Sequence, residues 1–204
     1  TIGILLVEIA NPFIPEIVDG ITGGLEPSNY KALIGMGHSA MAIETSLIES
    51  MIDNKMDGLI LVAPRMAGET LARFARQIPM VAIGHHESSA TDYDTVNSDD
   101  HRGVAIAVQA LHQLGHTDIA MISHEDPDAT PANVVHQREI GFRKALAKAG
   151  LLTENRVSQI SRYVFRKTNE VEEYLLSGQA PRAVFCWSDI DGINLINYAK
   201  INNI

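Results

Sequence analysis

A chain of 204 residues is too long for one mini-domain and has room for one large domain or two small ones. Apolar residues make up 46% and charged residues 20%, a balance that excludes wholesale disorder, and a chain of this length buries roughly 70% of its unfolded surface without staples. Sixteen Lys plus Arg against 25 Asp plus Glu leave a formal charge of -9, which makes the chain alone a poor grip for DNA or an anionic membrane.

The first apolar run is Ile2 to Val7, and it is followed by Asn11-Pro12, where Pro12 sits as a first helical residue after its cap. Further runs are Ala32 to Met36, Leu59 to Ala63, Met80 to Ile83, Ile119 to Ile122 and Ala183 to Trp187. None alternates strictly between apolar and polar, so they read as strands covered on both faces, as parallel sheets require. Helix-period stripes lie between them: Ile43, Leu47, Ile48, Met51 and Ile52; Val104, Ala107, Val108, Leu111 and Leu114; Phe142, Ala145, Leu146 and Ala149. Gly115 and Gly150 stand where helix C-caps belong. Strand, helix, strand, repeated, predicts right-handed βαβ units in doubly wound α/β sheets. Residues 86–99 and 123–133 are polar, the first with room for a short strand, and the sheet can break into two lobes near either. Tyr163 to Lys167 reads equally as strand or loop.

No apolar run reaches the ~18 residues of a membrane span, no signal-peptide features are visible, and the chain opens at Thr1 without an initiator Met. The single cysteine, Cys186, rules out an internal disulfide and suits a reducing, cytoplasmic setting; between Phe185 and Trp187 it reads as an inert core thiol. Gly35-Met36-Gly37-His38-Ser39-Ala40 fits the G-x-G-x-x-A of dinucleotide sites. It follows the second strand rather than the first, and the acid some twenty residues on, Asp57, precedes its strand, so a tight turn is the favoured reading and no cofactor is expected. His85-His86-Glu87 lacks metal-ligand spacing, and His112 and His116 bracket a helix end, so no metal is expected either. Ser39 and Ser123 have no nucleophile-elbow context, which leaves an enzyme unsupported.

In open α/β sheets, ligands sit beyond the carboxyl ends of the strands. The residues falling there are Asn11, Pro12 and Phe13; Met36, Gly37 and His38; Arg65; His85; Asn97, Ser98 and Asp99; Ser123, His124 and Glu125; and Trp187, Ser188 and Asp189. Hydrogen-bonding groups mixed with two aromatic faces suit a small polyhydroxylated or heterocyclic ligand.

Read together, these segments resemble the effector-binding core of the LacI/GalR family of bacterial transcription regulators. The resemblance runs through Ile2-Gly3-Ile4-Leu5 to Asn11-Pro12-Phe13, Met56-Asp57-Gly58-Leu59-Ile60-Leu61, and Ile78-Pro79-Met80-Val81. It continues in Val96-Asn97-Ser98-Asp99 with Gly103, Leu114-Gly115-His116 to Ala120, Arg138 with Gly141-Phe142-Arg143 and Leu146, and Ala183 to Asp189. It implies two Rossmann-like lobes of the periplasmic-binding-protein type, here 1–116 and 117–204, that close on a sugar or sugar-like effector. It further implies a homodimer that engages operator DNA through an N-terminal helix-turn-helix module outside this chain, with no membrane partner. On this resemblance Phe13 lines the cleft, Arg138 points its guanidinium at ligand oxygens, and Ser188-Asp189 stand where the family usually has Asn-Asp. The chain stops at Ile204, before the family's later strand and the crossovers that complete both sheets, so an incomplete second lobe is expected. An exported sugar-binding protein of a transporter is the alternative that shares the fold.

Overall fold

The computed structural model describes residues 1–9, 11–38, 40–87, 91–123, 130–151, 164–165, 176 and 181–203. The chain divides into two compact units, one of Thr1–Ser98 with Asp128–Val134 and the other of Asp99–Pro127 with Val135–Ile204.

The first unit is built on β1 (Ile2–Leu6), β2 (Ala32–Met36), β3 (Gly58–Val62), β4 (Met80–Ile83) and β5 (Asp94–Val96), in the order β2-β1-β3-β4-β5. All four pairings are parallel, with Ile4 opposite Ile34 on one side and Ile60 on the other. The helices α1 (Phe13–Leu25), α2 (Met41–Asp53) and α3 (Gly68–Ala75) make the crossovers. Their faces explain the unbroken apolar run of β1. Ile4 and Leu6 pack with Ile14, Ile17 and Val18 of α1, whereas Leu5, between them, points the other way into a cluster with Ile48 and Met51 of α2 and Leu71 of α3. The expected strand inside 86–99 is β5. Beside it the chain returns: the His86 N–H donates to the Ala132 carbonyl at 2.7 Å, and His85 bridges Asn133 in antiparallel fashion.

β2 departs from the expectation of two covered faces. It is the sheet edge, and Leu33 and Ile34 are 48% and 47% exposed. An apolar run shows that a strand can be buried, while the strand order decides whether a neighbour is there to bury it.

The second unit carries β6 (Ile119–Ile122), β7 (Val164–Phe165) and β8 (Ala183–Cys186), all parallel in the order β7-β6-β8. Its helices among the described residues are α4 (Asp100–Gln113), α5 (Val134–Lys148) and α6 (Asp189–Asn202). Val104 and Val108 of α4 join Ile119, Met121, Phe142, Ala145 and Leu146 in one cluster, while Ala120 and Ile122 face Val184, Cys186 and Leu195 on the other side. This packing puts α4 in the second unit, so the division falls at Ser98 and not at the boundary of 116 read from the sequence. The α4 and α5 backbones approach closely at Gly141, where a Cβ would lie 3.2 Å from the His101 Cα.

Among the described residues Phe142 is the largest fully buried side chain, and it lies roughly parallel to Phe185, with ring centroids 6.0 Å apart. Phe142→Ala should therefore lower the unfolding free energy by about 3–5 kcal/mol, read from the midpoint of urea denaturation, because the emptied volume has rigid walls on α4 and β6.

Candidate functional site

In each sheet the strand order reverses once, between β1 and β3 in the first unit and between β6 and β8 in the second. Loops leaving the carboxyl ends on either side of such a point diverge and leave a crevice.

At the first unit's edge, Pro12 already has helical backbone angles (φ -57°, ψ -24°), and the Asn11 Oδ1 accepts from the Phe13 N–H at 3.1 Å. Asn11 thus caps α1, and Phe13 stands at its start, 62% exposed. Arg65 follows β3, and its backbone N–H donates to Glu44 Oε2 at 3.0 Å. His85, beyond β4, is fully buried against Tyr93 at a centroid distance of 6.1 Å, and the Asn97 Nδ2 donates to the His85 carbonyl at 3.1 Å. The structure therefore brings Asn97 and His85 together and turns the imidazole inward.

Burial holds the His85 imidazole below its usual range, against the opposing pull of Glu87, and pushes the Tyr93 hydroxyl up to about 12. Glu44 is also fully buried, and its Oε1 has no hydrogen-bond partner. Loss of water raises its carboxyl above the ordinary value, and this outweighs the Arg65 N–H and the Arg65 charge, which both lower it. Glu44 also accounts for Gly37, because a Cβ there would lie 2.7 Å from the Glu44 Cγ. The second glycine of the G-x-G-x-x-A segment thus has a packing reason within the unit.

At the second unit's edge, Asp99 caps α4 by accepting from the Arg102 N–H at 3.0 Å, and Asp100 begins the helix nearly buried. Arg138 projects from α5. Its Nε donates to Asp100 Oδ1 at 2.7 Å, and its Nη1 donates to the Trp187 carbonyl at 2.5 Å. Arg138 thereby ties α4, α5 and the end of β8 into one constellation. Ser188 caps α6, its hydroxyl donating to Asp191 Oδ2 at 2.5 Å and accepting from the Asp191 N–H at 3.2 Å. The Asp189 carboxylate accepts from the Ile190 N–H at 3.0 Å. The buried Ser123 hydroxyl donates to Glu139 Oε1 at 2.6 Å. Cys186 lies beneath this edge with its thiol pushed up to about 11, by burial first and by Asp191 second, so it holds little thiolate at neutral pH. His124 lies outside the described residues.

Glu44, Asp100 and Glu139 were absent from the edge read off the sequence. Two of them carry a visible signal. Glu44 precedes Ile48 and Met51, and Glu139 lies between Val135 and Phe142, so each carboxylate interrupts the buried stripe of its helix. Among the described residues no cluster of three or more His, Cys, Asp or Glu side chains is arranged to hold a metal ion.

Because the folded pKa of Glu44 lies above 4.5, its contribution to stability is complete below that pH and is lost as pH rises through the folded value. Glu44→Gln removes this dependence. The stability of the variant relative to the parent should rise as the pH increases from about 4.5 toward 8, measured by urea titrations across that range.

Over residues 1–203 the chain matches the family described as periplasmic binding proteins and sugar binding domain of the LacI family. It is 26% identical over 201 residues to the HTH-type transcriptional repressor CytR of Escherichia coli (strain K12), an alignment covering 98% of this chain and 58% of that protein. It is 28% identical to the HTH-type transcriptional repressor PurR of Erwinia tasmaniensis, covering 96% of this chain and 57% of that one. The chain therefore spans somewhat more than half the length of these relatives. Its fold superposes with a TM-score of 0.80 on a LacI family transcriptional regulator from Lactobacillus casei with bound sucrose, at 19% identity, covering 99% of this chain and 74% of that one. With a match over nearly its whole length, this chain belongs to the family of periplasmic binding proteins and LacI-type sugar-binding domains.

Proposed function

We propose that this chain is the effector-binding domain of a LacI-type transcription regulator and that it holds a sugar or sugar-like molecule reversibly, without altering it. The observation that carries this reading is the family match over residues 1–203 together with relatives that are named repressors. The same relatives favour a regulator over an exported solute-binding protein of similar fold. The regulator works in the cytoplasm as a homodimer and contacts operator DNA through a module outside these residues. Effector and operator are then linked reciprocally, since each shifts the affinity for the other by the same factor.

The geometry of the second unit supports binding. Arg138 is anchored through Nε and Nη1, which pre-orders a long side chain and lowers the entropy lost when its remaining N–H groups meet a ligand. Phe13, exposed at the start of α1, offers a flat apolar face of the kind that packs on a sugar or heterocycle. Arg65, His85, Asn97, Asp99, His124, Trp187, Ser188 and Asp189 complete the proposed ligand-facing set by their positions at the strand ends, with His85 and Asp99 acting through the groups they hold in place.

Isothermal titration of the full-length protein against neutral sugars, nucleosides, nucleobases and sugar phosphates should find saturable one-site binding for at least one class. Silence from all of them with folded protein would defeat the reading. Arg138→Ala should weaken that binding by about tenfold to a hundredfold, the range expected for a hydrogen bond to a charged group, and should also lower the melting temperature because it removes the cation beside the buried Asp100.

The homodimer is supported by the edge strand β2. Leu33 and Ile34 lie exposed beside a groove lined mainly by apolar side chains, Leu6, Ile9, Pro15, Val18 and Ile34, with Asp19 and Thr22 among them. Ile34→Asp should convert the protein to monomer in light scattering while its circular dichroism stays unchanged. A dimer that survives the substitution would place the interface elsewhere.

A further inference from the structure

We propose that Ser123 and Glu139 form a ligand subsite: the Glu139 carboxylate accepts a hydrogen bond from a hydroxyl of the effector and, beside Arg138, selects ligands with neighbouring hydroxyls on one ring. This deepens the effector-binding reading and rests on it. Ser123 and Glu139 are 3% and 8% exposed, and the Ser123 hydroxyl donates to Glu139 Oε1 at 2.6 Å. Among the described residues no second hydrogen bond reaches the carboxylate, so Oε2 is left for a donor. It differs in this from Glu44 Oε1, which also lacks a partner but is sealed from solvent.

The sheet fixes where this oxygen lies. The register of β6 and β8 sets Ile122 beside Cys186, and the Trp187 N–H donates to the Ile122 carbonyl at 2.9 Å. One residue further, Ser123 and Trp187 stand side by side, ~5 Å apart at the usual strand spacing, at the point where the strand order reverses. Arg138 reaches the Trp187 carbonyl, and Glu139, the next residue of α5, reaches the Ser123 hydroxyl. A head that can only donate and a head that accepts are thus anchored on two adjacent strand ends. A hydroxyl can serve either, and hydroxyls on neighbouring ring carbons can serve both at once.

Folding alone gives no reason for an acid here. Glu139, Phe142 and Leu146 follow the i, i+3, i+7 spacing of the buried stripe of α5, where a leucine would join the core with nothing polar to desolvate. A carboxylate offers about four acceptor positions, and the Ser123 hydroxyl fills one of them. One neutral hydrogen bond offsets little of the cost of taking such a group out of water. A group that costs stability, placed at the strand ends where α/β sheets bind ligands, is the pattern of a binding residue kept for its function.

The test titrates the full-length protein with neutral sugars and nucleosides, each beside its monodeoxy analogues, in a calorimeter. For a ligand that binds, removing one particular hydroxyl should weaken binding to the parent by about tenfold or more. The double variant Ser123→Ala, Glu139→Leu should lose about tenfold or more in affinity for the intact ligand and no longer distinguish it from that analogue, while melting no lower than the parent. Arg138→Gln should remove the sensitivity at a neighbouring carbon. A double variant that melts several degrees lower, or does not fold, makes the pair structural and overturns the proposal. Glu139→Gln keeps the volume and decides independently: it should weaken the intact ligand several-fold and leave the deoxy analogue unchanged, because a neutral acceptor makes the weaker hydrogen bond. Equal losses for both members overturn the proposal, and sensitive positions that are not neighbours overturn the selection of adjacent hydroxyls. A bound ligand indifferent to Glu139 overturns this assignment alone, whereas silence from every sugar and nucleoside overturns the effector-binding reading beneath it.

Discussion

Adjacent parallel strands cannot be joined by a tight turn, so the chain needs a longer crossover before the next strand, and α1, α2 and α3 supply it between β1, β2, β3 and β4. Every strand pairing in both units is parallel, and most other features of the molecule follow from meeting that requirement. The crossovers cover both faces of β1 and β6, which is why Ile2 to Leu6 and Ile119 to Ile122 are apolar at nearly every position. Because successive crossovers run first to one side of the starting strand and then to the other, each sheet acquires a point where its strand order reverses. The constellation of Arg138, Asp100 and the Trp187 carbonyl assembles at the reversal between β6 and β8.

The two edges handle buried charge differently. In the first unit Glu44 is sunk with one oxygen unpartnered and the other accepting from the Arg65 N–H, and burial raises its carboxyl above the ordinary value. In the second unit Asp100 is relieved by Arg138, and Glu139 by the Ser123 hydroxyl. The two arrangements differ in what they do to a neighbour: the first engages a backbone N–H, whereas the second fixes the arginine side chain between α4, α5 and the end of β8.

Most of the architecture was legible from residues alone. The six apolar runs correspond to β1, β2, β3, β4, β6 and β8, and the two ambiguous stretches contain β5 and β7. Asn11-Pro12 could be read as a helix start because capping is local chemistry, fixed by residues adjacent in sequence. The exposed face of β2 was not legible, since a strand's rank in the sheet is not written in its own residues. Nor was the membership of α4, whose apolar stripe says that it packs on something but not on which sheet. At the site, Arg138 stood out through family resemblance, but its partner did not. Asp100 follows another aspartate at a helix start, and a sequence cannot say which of Asp99 and Asp100 caps the helix and which turns inward. Glu44 and Glu139 were legible in principle as acids on apolar stripes, a signal that a search for strand-end residues passes over.

The indole of Trp187 is the only one in these 204 residues, and the same residue's main-chain oxygen receives the Arg138 guanidinium. Within these residues, indole emission therefore originates at one known address. A rearrangement of the arginine would move the backbone that carries this chromophore, so the state of that contact can be followed optically on unlabelled protein.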